Sequence, residues 1–417
     1  MRILKITRKT EDTLLQSRKS QDRGAHRTAA RIVADVKHRG DLALDQWCRK
    51  LDGVDLRRQG LWFSQWELSA TRKKVSREYL RAVEHAARNV RRVAEKQLTC
   101  EWSLNVEPGV NITQMVRPID SIGCYIPGGR FALFSTMVMT VVPAQVAGVE
   151  RIIVVCPRAN DELLAAADLL GVTHLARIGG AQAIAALAYG TKRIARVEKI
   201  FGPGNRYVTA AKQIVSSECA IDLPAGPTEA VVLARSGNPR WIAADLLAQA
   251  EHAPDAGSYL VTPSLRLAQR VQEEVQAQLK LLPATNFARV SVQKTGAILI
   301  ARTWEEGIAF VNRFAPEHLS LPECSPTLLK KIRSSGTIFA GHLSAQPFGD
   351  YASGSNHVLP TSGWARRRGG LSANDFVKQI SVQTIRPWAY RRLARDVQTM
   401  ARTEGLLAHA NAIEVRK

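Results

Sequence analysis

The sequence predicts an α/β protein whose sheets are largely parallel. Beyond the helix-rich first part of the chain, short apolar runs of strand length end in Pro or Gly, as in RIIVVCP (151–157). Segments with helical spacing of apolar residues follow them, as in AQAIAALAYGT (181–191). Strands that alternate with helices in this way are typical of parallel βαβ units. The other strand-like runs are HLARIGG (174–180), KIF (199–201), EAVVLA (229–234), SYLVTP (258–263), AILIAR (297–302) and TIFAG (337–341).

The pattern divides the chain into four segments. The first contains RTAARIVADVKHRG (27–40) and REYLRAVEHAARNVRRVAEKQL (77–98), both with apolar residues at helical spacing. The last has helical spacing but is too short for its own core, so it must dock on the body or on another subunit. We expect a helical N-terminal part that packs with the second α/β block, two α/β blocks and a helical tail, at residues 1–124, 125–229, 230–368 and 369–417.

The composition is that of a globular protein with a basic surface. Lys and Arg outnumber Asp and Glu by 58 to 37, which gives a formal net charge of +21. The basic residues are dispersed among acids, and the one dense cluster is Arg366–Arg368, which favours a solvated surface over a nucleic-acid or membrane partner. No apolar run reaches the ~18 residues of a membrane span, and the N-terminus does not resemble a secretory signal. We therefore expect a cytoplasmic protein.

The cysteine pattern argues against a disulfide framework. The chain has six cysteines, far apart and without a CxxC pair, which indicates reduced, mostly buried thiols and no zinc-thiolate site. They are Cys48, Cys100, Cys124, Cys156, Cys219 and Cys324.

A polar stripe interrupts the helical segment LLAQAEHAPD (246–255). Asp245, Gln249 and His252 are spaced i, i+4 and i+7 and share one face of that helix. Gln249 and His252, three apart, can grip one metal ion, although the amide is a weak ligand and further ligands are required. Taken alone, the segment favours a hydrogen-bonded polar pair over a metal site.

Two further segments carry groups suited to chemistry. In NRFAPEHLSL (312–321), Pro316 ends the preceding helix and LSL alternates as a short strand, so Glu317 and His318 lie at a helix-to-strand turn. A carboxylate beside an imidazole is a proton-transfer pair, although a solvated loop is the alternative. The glycines of FGDYASGSNHVLPTSG (348–363) predict a tight, irregular loop that holds Asp350.

Nucleotide-binding signals are present only in part. FGPGN (201–205) resembles half a dinucleotide turn, and no GxGxxG or GxxxxGK[ST] sequence occurs. The helix after Gly180 can still bind pyrophosphate through free backbone N–H groups. In the tail, Glu404 and His409 are five apart and face one small site only if the helix ends or bends at Gly405.

Taken together and in this order, long segments of the chain resemble the histidinol dehydrogenase family, whose enzymes catalyse the last two steps of histidine biosynthesis. The resemblance covers about residues 25 to 412. It implies two Rossmann-like domains of the aldehyde-dehydrogenase-like type. The segments that carry it are IGCYIPGGR (122–130), IGGAQAIAALAYGT (178–191), KIFGPGNRYVTAAK (199–212), DLPAGPTEAVVLA (222–234), DLLAQAEHAPD (245–255), RFAPEHL (313–319), GDYASGSNHVLPTSG (349–363) and EGLLAHANA (404–412).

The resemblance implies one Zn²⁺ per subunit, bound by Gln249, His252, Asp350 and His409. Its substrate is L-histidinol, whose nitrogens complete the metal shell, so that the ion orients the substrate. The same resemblance assigns these ligands to substrate binding together with Thr228, His318 and Glu404.

The resemblance also implies a reaction in two steps. One NAD⁺ oxidises L-histidinol to the aldehyde, which is hydrated and oxidised by a second NAD⁺ to L-histidine. His318 is then the general base that takes the proton of the alcohol. A base with an ordinary pKa of about 6.5 is suited to neutral pH. Glu317 activates the water, so no catalytic cysteine is required.

The remaining implications concern the cofactor and the assembly. Tyr125, Gln182 and Asn205 are expected at the NAD site in residues 125–229, and residues 230–368 hold zinc and substrate. The family is homodimeric, and the tail supplies Glu404 and His409 to the partner's site. Thr228 stands where serine is commoner in the family. A dehydrogenase of another small alcohol, such as sulfopropanediol, is the alternative within the superfamily, and a basic nucleic-acid-binding protein is a remote third.

Overall fold

The computed structural model describes residues 1–18, 23–128, 133–224 and 226–416. Fourteen strands lie in these ranges. They are β1 Arg2–Lys5, β2 Trp102–Glu107, β3 Val110–Pro118, β4 Ser121–Tyr125, β5 Arg151–Val155, β6 His174–Ala176, β7 Lys199–Phe201, β8 Ala220–Ile221, β9 Glu229–Leu233, β10 Gly257–Thr262, β11 Ala297–Ile300, β12 His318–Leu321, β13 Thr337–Ala340 and β14 Val377–Ile385.

The described ranges also contain eighteen α-helices. They are α1 Arg8–Ser17, α2 Arg23–Arg39, α3 Asp41–Trp47, α4 Leu56–Gln59, α5 Gln65–Thr71, α6 Arg77–Gln97, α7 Phe134–Ala147, α8 Asp161–Leu169, α9 Gly180–Tyr189, α10 Arg206–Val215, α11 Pro239–Ala250, α12 Leu265–Leu281, α13 Ala288–Lys294, α14 Trp304–Phe314, α15 Pro326–Lys331, α16 Gln346–Tyr351, α17 Pro387–Thr403 and α18 Leu407–Glu414. None of them is both long and apolar enough to cross a bilayer.

Two parallel sheets form the body of the molecule, which confirms the predicted α/β class. The first has the strand order β6-β5-β4-β7-β8 and the second has the order β1-β11-β10-β9-β12-β13. Every strand pair in both sheets is parallel. Helices cover both faces, so the central strands are buried and read as continuous apolar runs.

A third sheet, of three antiparallel strands, was not predicted. Its order is β14-β3-β2, and β14 pairs with β3 along nine residues, from Val377 opposite Pro118 to Ile385 opposite Val110. The C-terminal segment is therefore helical from Pro387 onward, as expected, but it begins with a long strand. This strand attaches the tail to the segment that precedes the first parallel sheet.

The prediction that residues 1–124 pack with the second block is wrong for most of that segment. Only β1 joins the second sheet, beside β11. Helices α2 and α3 bury apolar residues such as Ile32 and Leu44 against α9 and α10 of the first block. Helix α6 packs on α7 of the same block through residues such as Val83 and Val90. Each of these helices buries its apolar face against the first block. The spacing of apolar residues predicts a buried face but does not identify the block against which it packs.

Candidate active site

The Glu-His pair lies at the helix-to-strand turn that the sequence predicts. Helix α14 ends at Phe314, Ala315 takes a left-handed conformation with φ of 51°, and His318 is the first residue of β12. A non-glycine residue at positive φ is strained, and such residues persist where the surroundings hold them. Both side chains are buried, with Glu317 6% and His318 4% exposed. The solvated-loop alternative is therefore wrong.

Glu317 is held at the start of two neighbouring strands. Its Oε2 accepts hydrogen bonds from Thr228 Oγ1 at 2.6 Å and from the backbone N–H of Glu229, the first residue of β9, at 2.9 Å. These two donors fix one carboxylate oxygen and leave the other for a ligand. Glu317 and Thr228 are thereby joined at the amino edge of the second sheet.

The hydrogen bonds of His318 assign different roles to its two ring nitrogens. Nδ1 lies 3.3 Å from the backbone oxygen of Glu229, which can only accept, so Nδ1 carries the proton. Nε2 is buried and has no hydrogen-bond partner in the described part of the chain; it lies 3.8 Å from Asp350 Oδ1. Burial acts to lower the pKa of His318, but the neighbouring carboxylates Glu317 and Asp350 outweigh burial and raise it. The expectation of an ordinary imidazole is thus corrected: Nε2 is a free base of raised pKa.

A chain of amide and hydroxyl groups connects this pair to the polar stripe. Gln249 is fully buried; its Nε2 donates to Thr228 Oγ1 at 2.9 Å. Its Oε1 accepts from Gln346 Nε2 at 2.8 Å. Gln346 and Asp350 lie one turn apart on α16. Gln249, Thr228, Glu317 and Asp350 are therefore gathered around His318.

Asp350 lies in the last turn of a helix and not in the irregular loop that its glycines predicted. Burial acts to raise the pKa of its carboxyl, but the neighbouring imidazoles of His318, His357 and His252 outweigh burial and lower it. His357 Nδ1 lies 2.8 Å from the Asp350 backbone oxygen. The carboxylate is thus ionised and faces several imidazoles, one of which belongs to His252, exposed just beyond α11.

The third residue of the stripe does not join this group. Asp245 is half-buried near Asn238 and His342, beyond the opposite end of β12. Burial raises the pKa of its carboxyl to about 6. A shared helix face therefore placed two of the three polar residues at the site.

The donor chemistry fits a zinc ion. An imidazole, a carboxylate and an amide oxygen form a mixed N/O set, and the Gln249 oxygen keeps a second lone pair beside its bond to Gln346. Within the described ranges, no three His, Cys, Asp or Glu side chains of this one chain are placed to hold a metal.

The two tail residues of the prediction lie apart from this group in the same chain. Gly405, with φ of 75°, separates α17 from α18, so the helix ends between Glu404 and His409 as the sequence required. Both residues are exposed, and α18 packs on α17. Neither side chain forms a hydrogen bond or ion pair with the described residues.

The three expected cofactor residues lie at the carboxyl edge of the first sheet. Tyr125 ends β4, and its Oη accepts from the backbone N–H of Gly180, at the start of α9, at 3.2 Å. Gln182, also on α9, is fully buried and donates from Nε2 to Asp52 Oδ2 at 2.8 Å. Asn205 caps α10, its Oδ1 accepting from the N–H groups of two residues of the first turn. Helix N-termini at this edge favour an anion.

Two of the segments that carry the resemblance are only partly described. Residues 129 and 130 of IGCYIPGGR and residue 225 of DLPAGPTEAVVLA lie outside the described ranges. The last residues that the structure describes in the first of these segments are Pro127 and Gly128.

Comparison with known proteins decides the family. The family model described as histidinol dehydrogenase matches residues 15–417. The chain belongs to the histidinol dehydrogenase family. It is 45% identical over 392 residues to histidinol dehydrogenase of Geobacillus kaustophilus, covering 92% of each chain. It is 44% identical over 394 residues to that of Methanothermobacter thermautotrophicus, covering 93% of this chain and 92% of the relative.

Solved structures agree with the family. The crystal structure of histidinol dehydrogenase from Elizabethkingia anophelis matches with a TM-score of 0.94 at 36% identity, covering 100% of this chain and 97% of that chain. The two parallel sheets described above are therefore the histidinol dehydrogenase fold. A dehydrogenase is an oxidoreductase.

Sequence reasoning missed three residues of this histidinol dehydrogenase site. Gln346 orients the Gln249 amide, Glu229 holds both members of the Glu-His pair through its backbone, and Asp52 accepts from Gln182. Each contact joins segments far apart in the chain. None of the three lies in a local pattern that distinguishes it from an ordinary surface or turn residue.

Proposed function

We propose that this protein catalyses the NAD⁺-dependent oxidation of L-histidinol through L-histidinal to L-histidine, with a zinc ion that orients the substrate. The observation that carries the proposal is the buried, unpartnered Nε2 of His318 beside Asp350, with Glu317 next to it. A protonated Nδ1 on the same ring leaves Nε2 as the acceptor. The family membership identifies the substrate class.

Gln249, His252 and Asp350 would hold the metal, with His409 of a second subunit as the fourth ligand. Zinc, when bound there, would supply a Lewis acid that holds the imidazole and amino nitrogens of the substrate in one orientation. Gln346 and Thr228 fix the Gln249 amide from either side. Gln249 on α11 and Asp350 on α16 would be two of the ligands, and the Gln249–Gln346 bond holds these two helices together.

In the first step His318 Nε2 takes the hydroxyl proton of L-histidinol while the hydride leaves the same carbon. NAD⁺ accepts that hydride. The Glu229 carbonyl, which accepts from Nδ1, stabilises the imidazolium that results. The products of this step are the aldehyde, NADH and one proton.

In the second step Glu317 draws a proton from water as the oxygen adds to the aldehyde carbon. One carboxylate oxygen is occupied by Thr228 and the Glu229 N–H, so the other oxygen faces the water. Hydride transfer from the hydrate to a second NAD⁺, with release of a hydroxyl proton of the hydrate, would give L-histidine and NADH. Cysteine is not needed, which agrees with buried thiols such as Cys124, whose pKa burial raises to about 12.

We place NAD⁺ at Tyr125, Gln182 and Asn205, and we propose a homodimer in the cytoplasm with shared active sites. Glu404 and His409 are exposed and unpaired within the described chain, as residues destined for a partner's site would be. Glu404 would contact the substrate, and His409 would complete the metal shell. The α17–α18 hairpin would bring Glu404 and His409 to the active site of the partner subunit.

The charges of the site favour an amine over a sulfonate. Within the described ranges, Glu317, His318, Gln249 and Asp350 have no Lys or Arg among their hydrogen-bond and ion-pair partners. Carboxylates repel a sulfonate, whereas L-histidinol carries no negative charge. The structure therefore supplies a reason to prefer L-histidinol to sulfopropanediol.

The decisive test is NADH formation from L-histidinol, measured before and after chelation and again after zinc is returned. We expect two NADH for each L-histidine, loss of activity on chelation and recovery with zinc. Turnover of sulfopropanediol in the absence of any with L-histidinol would assign the alternative substrate. Salt-sensitive DNA binding without turnover of either alcohol would contradict the enzymatic proposal.

A further inference from the structure

A buried ion pair lies directly behind the Glu-His pair. Arg18, which follows α1, contacts the carboxylate of Glu229, and their side chains are 6% and 3% exposed. The proposed chemistry uses neither side chain. The nearest residues that it does use, Glu317 and His318, are both bonded to the Glu229 backbone.

Arg18 has a second anchor on the segment that leads into the catalytic turn. Its Nη1 donates to the backbone oxygen of Phe314 at 2.6 Å, and its guanidinium carbon lies 3.8 Å from the centre of the Phe314 ring. Phe314 ends α14, and the left-handed Ala315 follows it. One guanidinium therefore ties the end of α14 to the start of β9.

The two residues that Arg18 contacts, Phe314 and Glu229, are also the residues that position the Glu-His pair. On one side, Phe314 leads through Ala315 and Pro316 to Glu317. On the other side, the Glu229 N–H bonds Glu317 and the Glu229 carbonyl bonds His318 Nδ1. A shift of Glu229 relative to Phe314 would move both groups at once.

The pair is not explained by stability alone. Removing two charges from water is costly, and apolar residues of similar volume often stabilise a core as well or better. Burial raises the pKa of Glu229 to about 7, although Arg18 acts to lower it. Arg18 is therefore the neighbouring charge that opposes protonation of Glu229.

We propose that Arg18 is a positioning residue for the reaction, acting through its two-point contact with Glu229 and Phe314. This inference rests on the proposed roles of Glu317 and His318. It gives the N-terminal segment, which contributes no catalytic residue, a part in the chemistry. The guanidinium fork matters because a single ammonium cannot reach both anchors in the same geometry.

The test compares Arg18→Met and Arg18→Lys with a matched control. Arg313 of α14 forms an ion pair with Glu11 of α1, so Arg313→Met breaks a contact between the same two helices at the surface. For Arg18→Met we expect kcat for L-histidinol to fall about 10²-fold through misplacement of the base, with the KM for NAD⁺ and the zinc content unchanged. For Arg313→Met we expect kcat within about twofold of wild type.

Chemical rescue separates positioning from folding. Arg18→Ala leaves a cavity of guanidinium shape, and we expect millimolar guanidinium to raise its kcat several-fold while having no such effect on wild type or on Arg313→Met. Wild-type kcat in folded Arg18→Met, or an unrescued Arg18→Ala, overturns the positioning role. If Arg18→Met does not fold, Arg18→Lys decides: wild-type kcat in that variant refutes the need for two anchors.

Failure of this inference is distinguishable from failure of the proposed function. If wild-type protein does not oxidise L-histidinol, the proposed function fails and the role of Arg18 falls with it. If wild type oxidises L-histidinol and the Arg18 variants do so equally well, the positioning role alone is wrong.

Discussion

The expected cofactor residues and the Glu-His pair lie at opposite edges of their parallel sheets, the former at a carboxyl edge and the latter at an amino edge. In the first sheet the expected cofactor residues follow the strands, at the carboxyl edge where α/β proteins usually bind ligands. In the second sheet Thr228 and Glu317 precede β9 and β12, and His318 is the first residue of its strand, so the Glu-His pair lies at the amino edge. Gln249 reaches the same edge because α11 ends there.

This difference has an electrostatic consequence. Helices α9 and α10 present their N-termini at the carboxyl edge, and the partial positive charge of a helix start attracts phosphate. Helix α11 presents its C-terminus at the amino edge, where the partial negative charge attracts a cation. The three expected cofactor residues at the first edge are neutral, whereas the second edge combines carboxylates and imidazoles.

The largest effect is expected at the amino edge, from loss of the base. His318→Ala should lower kcat by about 10²–10⁴-fold, the range attributed to general acid–base catalysis, with little change in the KM for NAD⁺. Steady-state kinetics with L-histidinol and a zinc assay of the purified variant measure both. The exposed His38, changed to Ala, is the control. Full activity in the His318 variant would remove the base assignment.

Loss of a metal ligand should give a different defect at the same edge. Loss of a residue that only hydrogen-bonds to a metal ligand weakens metal binding roughly 10–100-fold. His252→Ala removes a ligand itself, so zinc binding should weaken by at least that factor. Zinc content after dialysis and recovery of activity at higher zinc are the readouts. A His252 variant that keeps its zinc and its activity would show that the metal is held elsewhere.

Mixing inactive subunits tests whether the amino edge is completed by the tail of a partner. His318→Ala and His409→Ala should each be nearly inactive as homodimers. If the subunits exchange at random, the heterodimer contains one intact site, and activity should recover to about a quarter of wild type. No recovery in a mixture shown to contain heterodimers would mean that each site is built from one chain.

A smaller effect is expected at the carboxyl edge. Gln182→Ala removes an amide that we expect to bind NAD⁺. Because a hydrogen bond is worth about 1 kcal/mol, the KM for NAD⁺ should rise about tenfold with kcat nearly unchanged. Titration of NAD⁺ at saturating L-histidinol measures it. A fall in kcat with an unchanged KM for NAD⁺ would contradict the proposal that the carboxyl edge binds NAD⁺ and the amino edge carries the reaction.

The smallest effect concerns the cap of α10. Asn205→Ala should cost about 1 kcal/mol of stability, because two backbone N–H groups lose their acceptor. Thermal denaturation measures that loss, and Asn205→Ser, which keeps a capping oxygen, is the control. Equal melting temperatures for both variants and wild type would contradict the capping role.

The sequence predicted the parallel sheets because their strands are buried on both faces and read as apolar runs. It did not predict β14, although Ile380 and Val382 alternate with polar residues there, because exposure of most of that strand leaves a weak pattern. Helix α2 was assigned to the wrong block because amphipathic spacing marks a buried face but not its partner.

Part of the candidate site could likewise be predicted from the sequence, and part could not. Local spacing placed Gln249 beside His252 and located the turn at Glu317, and the resemblance supplied the remaining assignments. Arg18 and Gln346 were beyond reach because their partners, Glu229 and Gln249, are far away in the chain. Contacts of that kind depend on the completed fold and leave no periodic signal.

The middle strand of the antiparallel sheet has one more implication, for biosynthesis. β3 pairs with β2 across a short turn, but its second neighbour, residues 377–385, is synthesised much later. A two-stranded hairpin is only marginally stable in water. Until residues 377–385 are translated, β3 has an open edge that can pair with other nascent chains, and truncation before residue 377 would leave that edge open permanently.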